Sequence, residues 1–177
     1  MAFKVPKQIN LNDGQRAERK LLITVVEWEE EAGTGTTTHR EILGRRTEDS
    51  SIEYNSDIAT STDILGINYT DLNKTQPQQD FDPFLVMGGG RLAAILVDVM
   101  NRNALSELNQ FTVYVIDAFI GTSGQYEAVR HTGCTITPTS IGGDVNVNMP
   151  ISLYLSNNLK TGTVDKLTDD FAFTPDV

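Results

Sequence analysis

Side chains that commonly carry out chemistry in proteins are scarce in this chain. Its 177 residues include two histidines, His39 and His131, and one cysteine, Cys134. Two lone imidazoles and one thiol cannot supply a CxxC-type zinc site, and a single cysteine cannot form an intrachain disulfide. We expect each histidine to be solvated or locally hydrogen-bonded. Cys134, beside a glycine in a β pattern, is expected to be a small buried hydrophobic residue.

Two further patterns resemble binding motifs but lack their defining features. Glu29, Glu30 and Glu31 are consecutive, so their carboxylates point to different sides and form a solvated charge run. Residues 88–90 are three glycines before a predicted helix, where backbone amides can bind phosphate. That run lacks the Lys-Ser/Thr pair of a P-loop, which favours a flexible helix entry over a ligand loop. We therefore predict no enzyme, no cofactor and no metal site.

The charge of the chain is strongly negative and unevenly distributed. A net charge of −10 repels phosphate backbones and anionic headgroups, which excludes a conventional DNA clamp or a polybasic membrane binder. Residues 1–20 carry five basic and two acidic side chains, a net of +3, so the other 157 residues carry a net of −13. Such a basic arm is either solvated or paired with the acidic body of a neighbouring copy.

No targeting segment is predicted. Pro6 and polar residues interrupt the N-terminus before a signal-peptide core could form. The longest apolar runs fall far short of the ~20 residues that a membrane helix needs. We expect no membrane anchor and a protein that folds in a cytoplasm.

β patterns dominate the first half of the chain. Residues 21–28 are apolar on both faces and rich in β-branched residues, which predicts a buried strand. Residues 29–40 contain two glycines and no apolar anchor, and they predict a long hairpin loop. Further strands are predicted at 51–54 and 58–67, followed by a polar connector over 71–82.

One helix is predicted at about residues 90–103. Apolar residues recur there at i, i+3, i+4, i+7 and i+8 and form a single stripe. The predicted packing face consists of Leu92, Ile95, Leu96, Val99 and Met100.

The second half of the chain returns to β patterns. Residues 111–119 predict a central strand because they are apolar on both faces, and residues 126–137 predict a weaker one. Alternating apolar residues over 145–155 form the clearest period-two pattern, in which Pro150 predicts an edge, a bulge or a break. The tail after residue 158 is polar and acidic.

These elements predict a mostly β (α+β) fold: a β-sandwich or barrel with one flanking α-helix, an extended loop and terminal arms. The predicted organisation is a basic N-terminal arm at 1–20, a β domain at 21–158 and an acidic C-terminal tail at 159–177. Bipolar charge, strand edges and a long loop favour self-assembly through heterologous contacts into rings or filaments. A monomeric β domain with irregular loops explains the same features.

Two blocks of sequence resemble the tail tube (major tail) proteins of tailed bacteriophages. The first covers residues 47–58 (TEDSSIEYNSDI) and continues into 60–66 (TSTDILG). The second is DFDPF at 80–84, then the amphipathic helix, RNALSEL at 102–108 and the strand that begins FTVY. The resemblance runs from about residue 48 to about residue 155 and depends on block order, without a catalytic motif.

The resemblance implies a specific role. Members of that family are β-sandwiches or barrels with one helix that form six-membered rings, and the rings stack into a hollow tube through which the genome passes. The implied partners are other copies of the chain, a tape-measure protein, a tail terminator and a distal tail or baseplate protein. DNA would be in transit only, because an acidic wall does not retain it. The implied location is the virion tail, assembled in the host bacterial cytoplasm.

The family's hairpin loop and arms commonly mediate ring stacking, which predicts two sets of residues here. The predicted inter-ring contacts are Glu30, Glu31, Gly33, Thr34, Gly35, Thr36 and Thr37 in the loop and Lys4, Lys7, Arg16 and Arg19 in the arm. The predicted lumen-facing acids are Glu53, Asp57 and Asp63.

Two alternatives remain open at this point. One is an inner-tube protein of a contractile tail or a related secretion system, and the other is a decoration or binding module of a virion.

Overall fold

Strands are the main secondary structure of the computed structural model, which describes residues 7–33, 35–47 and 49–176. The strands are β1 (Leu22–Ala32), β2 (Gly35–Ile42), β3 (Ile52–Glu53), β4 (Asp57–Thr62), β5 (Asn68–Lys74), β6 (Gln78–Phe81), β7 (Phe111–Thr122), β8 (Gln125–Pro138), β9 (Ile151–Tyr154), β10 (Leu159–Val164) and β11 (Phe173–Pro175). The α-helix is α1 (Arg91–Arg102), and 3-10 turns cover Arg19–Leu21 and Leu105–Asn109.

Nine of these strands form one hydrogen-bonded system. Its order is β2-β1-β7-β8-β9-β6-β3, with β10 added to β8 and β11 added to β10, and every pair is antiparallel. Strands β4 and β5 form a separate two-stranded sheet. The predicted fold class, mostly β with one helix, is confirmed.

The long strand β8 connects two sheets. Its first half pairs with β10, and its last residues pair with β9 instead. Gly133 lies at the change of partner with a φ of 77°, a conformation that favours glycine. The pairing with β7 slips at the same point, from Thr112↔Thr132 to Phe111↔Cys134, so Gly133 is the extra residue of a β-bulge.

The main core lies between these sheets and α1. Leu92, Leu96 and Val99 are buried there as predicted, and Ile95 packs against the cluster while half-buried. Met100 was predicted on the same face, but its side chain is 44% exposed. It belongs to the last helical turn, where the covering layer ends, so the prediction for Met100 is wrong.

A second core covers the opposite face of the β1–β7–β8 sheet. Val25, Tyr114 and Ile116 on that face are buried against Val164 and Phe171 from the end of the chain. The predicted acidic tail is therefore not a separate arm, because β10 pairs along β8 and its apolar residues complete this core. The domain extends to the end of the described chain.

The period-two segment at 145–155 is not one strand. Only its second half forms β9, which begins directly after Pro150, so the predicted break is confirmed. Residues 142–148 form a narrow loop in which the backbones of Gly142 and Asn148 bond to each other. Val145 lies at the tip of that loop and is 87% exposed, because no sheet covers it.

The predicted connector at 71–82 is also wrong, since it contains the end of β5 and all of β6. Gln79 on β6 is fully buried. Its side-chain oxygen accepts a hydrogen bond from the Thr24 hydroxyl at 2.8 Å, and its amide nitrogen donates to the Ser50 carbonyl at 3.2 Å. A polar residue is tolerated there because both of its polar atoms have partners.

Candidate assembly surfaces

The side chains considered first for chemistry are engaged within the fold. His131 is buried, and its Nδ1 lies 2.7 Å from the Ser156 carbonyl oxygen. Burial lowers the pKa of His131 and raises the pKa of the Cys134 thiol, which keeps both side chains neutral. The predictions of a locally hydrogen-bonded His131 and a buried Cys134 are confirmed.

His39 belongs to a small cluster between β2 and the start of α1. Its ring centroid lies 5.9 Å from that of Trp28, and its Nε2 lies 3.1 Å from a carboxylate oxygen of Glu30. The guanidinium of Arg91 is 2.8 Å from the same nitrogen. Glu30, predicted as an inter-ring contact, is thus already engaged by side chains of its own chain.

The glycine run at 88–90 leads into α1 without forming an anion site. Gly90 is the N-cap residue of the helix. The Leu92 amide donates to a Glu41 carboxylate oxygen at 3.1 Å, so a side chain of the protein already occupies the place that a phosphate would take. The interpretation as a helix entry agrees with this geometry.

The predicted loop at 29–40 is strand rather than loop. Glu29, Glu30 and Glu31 pair with Thr38, Thr37 and Thr36 in turn, and the ladder continues to the Ala32↔Gly35 pair. Thr34 lies outside the described residues. The β propensity of the threonines and a continuous ladder outweigh the absence of apolar anchors. Because β7 pairs with β1 no further than Glu27, the rest of this β1–β2 hairpin extends beyond the sheet as a two-stranded ribbon.

Arg40 anchors the base of the β1–β2 hairpin to the second core. Its Nε donates to Glu27 at 2.6 Å and its Nη1 donates to the Phe171 carbonyl at 2.6 Å. Its guanidinium lies 4.3 Å above the centre of the Phe171 ring. The Tyr114 ring packs edge-on against Phe171, and burial raises the pKa of Tyr114. This hairpin is held by its own domain.

The described part of the basic arm lies on its own domain. The Lys7 ammonium bonds to Glu127 and, at 3.2 Å, to Asp176, and the Glu127 contact is the main reason that the pKa of Lys7 is raised. The Arg19 guanidinium donates to the Leu22 carbonyl at 2.6 Å. Arg16 is exposed. Lys4 lies outside the described residues.

A groove between the β1–β2 hairpin and α1 is lined by carboxylates. It has a volume of about 780 Å³ and includes Glu29, Glu31, Asp98 and Glu107. The one arginine of its lining, Arg102, donates to Asp98 and Glu107 at 2.8 Å, so it leaves the net charge of the groove negative. Such a surface repels phosphate.

The β4–β5 hairpin stands apart from the rest of the described chain. Its two strands pair only with each other, and all of their residues are exposed. At its turn the Asp63 carboxylate accepts hydrogen bonds from the amides of Leu65 at 2.8 Å and Ile67 at 2.9 Å, and from the Tyr69 hydroxyl at 3.1 Å. These bonds lower the pKa of Asp63.

The predicted lumen-facing acids are not brought together. Glu53 lies on the edge strand β3, whereas Asp57 begins β4 and Asp63 follows the end of that strand. The two aspartates are six residue steps apart along the strand direction, a distance of about 20 Å. The single strand predicted at 58–67 is instead a strand and a turn, since Asp63 and Gly66 close the hairpin.

The β4–β5 hairpin exposes an unusual amount of apolar side chain. Full burial of one such side chain is worth about 1.5–3 kcal/mol. Ile58 and Leu72 lie opposite each other on one face of the hairpin, and the Tyr69 side chain lies on the other face. The side chains are Ile58, Ile64, Leu65, Ile67, Tyr69 and Leu72.

Sequence reasoning missed this surface because it assigned these residues to the domain body. The Asp63-to-Gly66 turn signal, followed by polar residues without a core period, could have indicated a projecting hairpin.

No family model and no curated protein matches the chain. Among the described residues, no group of three or more His, Cys, Asp or Glu side chains is arranged to hold a metal ion. None of the described helices is long and apolar enough to cross a membrane.

Proposed function

We propose that this protein is a structural subunit that assembles with copies of itself into stacked hexameric rings, and that these rings form the tail tube of a bacteriophage, the conduit for DNA ejection. The observation that carries the proposal is the β4–β5 hairpin, whose apolar side chains nothing in the described chain covers. An isolated two-stranded hairpin is marginally stable in water. A neighbouring subunit would both cover it and stabilise it.

The kind of assembly is indicated by the residues that resemble tail tube proteins. The first block, residues 47–66, builds β3, β4 and the turn of the β4–β5 hairpin. The second block builds the entry to α1, the turn after it and the start of β7. The resemblance therefore falls on the exposed hairpin as well as on the core.

The charge distribution supports passage of DNA without retention. Net binding of a duplex depends on basic side chains that displace counterions from phosphate. The described lysines and arginines are instead often paired, as Lys7, Arg40 and Arg102 are, while the acidic groove beside α1 stays negative. The proposed partners are other copies of the chain, a tape-measure protein, a tail terminator and a distal tail or baseplate protein, in the tail of a virion.

The decisive experiment measures the oligomeric state of the purified chain. Light scattering after gel filtration over a concentration series, with negative-stain microscopy of the same fractions, should show rings or striated tubes about as wide as a phage tail. Added duplex DNA should elute separately from these assemblies. A monomer that persists at the highest concentration would contradict the proposal, and tight retention of DNA would contradict the conduit role.

A further inference from the structure

The β4–β5 hairpin needs a receiving surface, and a small apolar groove has suitable chemistry. We infer that the tip of this hairpin in one copy docks into the groove between α1 and residues 138–141 of a second copy. This inference rests on the proposed self-assembly and specifies the two surfaces that meet.

The tip presents apolar side chains with its polar groups already bonded. Ile64 is fully exposed and Leu65 is 78% exposed. The Asp63 carboxylate is occupied by two backbone amides and the Tyr69 hydroxyl. Because this carboxylate keeps its partners within the hairpin, burial of the tip leaves fewer polar groups without a bond.

The groove is complementary in size and in polarity. It has a volume of about 140 Å³ and lies between Val97 and Met100 on α1 and Ile141 on the facing segment, with the buried Met149 beside them. No charged side chain lines it. A cavity of about 150 Å³ accepts a molecule of benzene size. The groove can therefore take one leucine or isoleucine side chain.

Docking of a hairpin tip would also explain why Met100 and Ile141 are exposed in the single chain. Met100 is 44% exposed and Ile141 is 59% exposed, although both are large apolar residues next to a formed core. A docked tip would cover both side chains.

The hairpin and the groove lie at opposite ends of the β6–β9 pair. That pair runs from Gln78↔Tyr154 to Phe81↔Ile151. The β4–β5 hairpin joins the first end, since β5 ends four residues before Gln78. The groove adjoins the second end, where Pro138 pairs with Ile151.

In the proposed stack this contact is heterologous, because the tip of one copy meets a different surface on the next copy and the contact repeats from copy to copy. Ile64 at the tip is fully exposed in the single chain, so its own groove is not its binding site. Every tip except those at one end of such a stack finds a groove.

Disulfide trapping tests the contact directly. The chain carrying both Leu65→Cys and Ile141→Cys should form a ladder of covalent multimers under mild oxidation, because docking brings the two residues within disulfide range. A 1:1 mixture of the single variants should give the covalent dimer. The native Cys134 is fully buried and adds little background.

The matched control replaces the groove cysteine with one at Leu105, which is also apolar and 52% exposed but lies outside the groove. Leu65→Cys with Leu105→Cys should give at least tenfold less cross-linked product. Equal cross-linking at positions 105 and 141, or no ladder from a sample that forms tubes, would overturn the inference while the proposed function stands. A sample that stays monomeric contradicts the proposed function itself.

A substitution in the groove supplies a second measurement. Met100→Gln keeps a helix-forming residue but adds polar atoms, and it should raise the concentration for half-assembly at least tenfold. Met87→Gln, at a methionine of similar exposure outside the groove, should change it less than twofold. Equal effects of the two variants would count against the groove as the docking surface.

Discussion

The two projecting hairpins of this protein differ in what holds them. The β1–β2 hairpin is rich in charge, and its base is tied down by Trp28, Arg40 and the His39–Glu30–Arg91 cluster. The β4–β5 hairpin carries four charged residues, Asp57, Asp63, Asp71 and Lys74, and its apolar side chains are open to solvent. The first already has its partners within the domain, whereas the second lacks them.

The difference shows which surface needs another copy. An exposed charged side chain is stable in water, so the acidic ribbon requires no cover. In contrast, covering exposed isoleucine and leucine side chains on a two-stranded hairpin lowers the free energy of the protein. The stronger candidate for assembly is therefore the hairpin that the sequence patterns had assigned to the domain body.

The largest expected effect comes from removal of the β4–β5 hairpin. Replacing residues 57–74 with a four-residue Gly-Ser linker is feasible because the Gln76 amide bonds to the Tyr54 carbonyl at 3.0 Å, which keeps the chain ends close. We expect the domain to fold with little change in thermal midpoint, since the hairpin contributes nothing to either core. Assembly, followed by light scattering, should be abolished.

Deletion of residues 33–38 is the matched change in the other hairpin. It removes the turn and one end of the β1–β2 ribbon, and we expect shorter tubes with assembly retained. Two outcomes would contradict this assignment of the hairpins. One is tube formation by the variant without β4–β5, and the other is complete loss of assembly in the 33–38 deletion alone.

Substitutions in the β1–β2 hairpin should lower the free energy of unfolding more than substitutions in the β4–β5 hairpin. Trp28 is 6% exposed and packs in the main core, so Trp28→Ala should lower the free energy of unfolding by about 3–5 kcal/mol. Leu72→Ala, at a position that is 61% exposed, should change it by less than about 0.5 kcal/mol. Urea unfolding of dilute protein measures both, and similar losses would show that the β4–β5 hairpin packs on its own domain.

A smaller loss is expected when Arg40 is truncated. Arg40→Ala removes hydrogen bonds to Glu27 and to the Phe171 carbonyl and leaves the half-buried Glu27 carboxylate with less compensation. We expect a loss of about 2–3 kcal/mol. Arg45→Ala, at an exposed arginine, should cost less than about 0.5 kcal/mol. Equal losses would mean that the anchoring of the β1–β2 hairpin by Arg40 is unimportant.

The smallest effect concerns pH and the turn of the β4–β5 hairpin. The hydrogen bonds to Asp63 lower its pKa below 3.8, so their stabilisation is present above that pH and is lost as the pH falls through the lower folded-state pKa. The amide NMR signals of Leu65 and Ile67 should titrate together with a midpoint below 3.8. Asp63→Asn should abolish that titration, whereas a midpoint at or above 3.8 would show that the turn is open.

Local patterns predicted some elements well. The strand at 111–119, the helix at about 90–103 and a buried Cys134 all appear in the structure. Each depends on the periodicity or polarity of neighbouring residues, which a single segment contains. The candidate surface was not predicted, because Ile64 and Leu65 have the composition of buried strand residues.

The other wrong predictions have one cause, which is that each outcome depends on contacts with segments outside the pattern that was interpreted. The alternating pattern at 145–155 predicted the strand at its second half, but Val145 in its first half has no sheet to cover it. The ribbon at 29–40 lacked an apolar period, yet backbone pairing made it strand. The tail after residue 158 was polar on average, but Val164 and Phe171 complete a core that only distant strands define.

The amino-acid sequence by itself determined the acidic character, the mostly β composition, the amphipathic helix and the absence of a disulfide within the chain. These follow from charge, counts and short-range spacing. Only the tertiary structure decided which hairpin is anchored and which is exposed, and that the tail belongs to the core. Those outcomes depend on which segments lie together in space, and burial is a property of that arrangement rather than of any one segment.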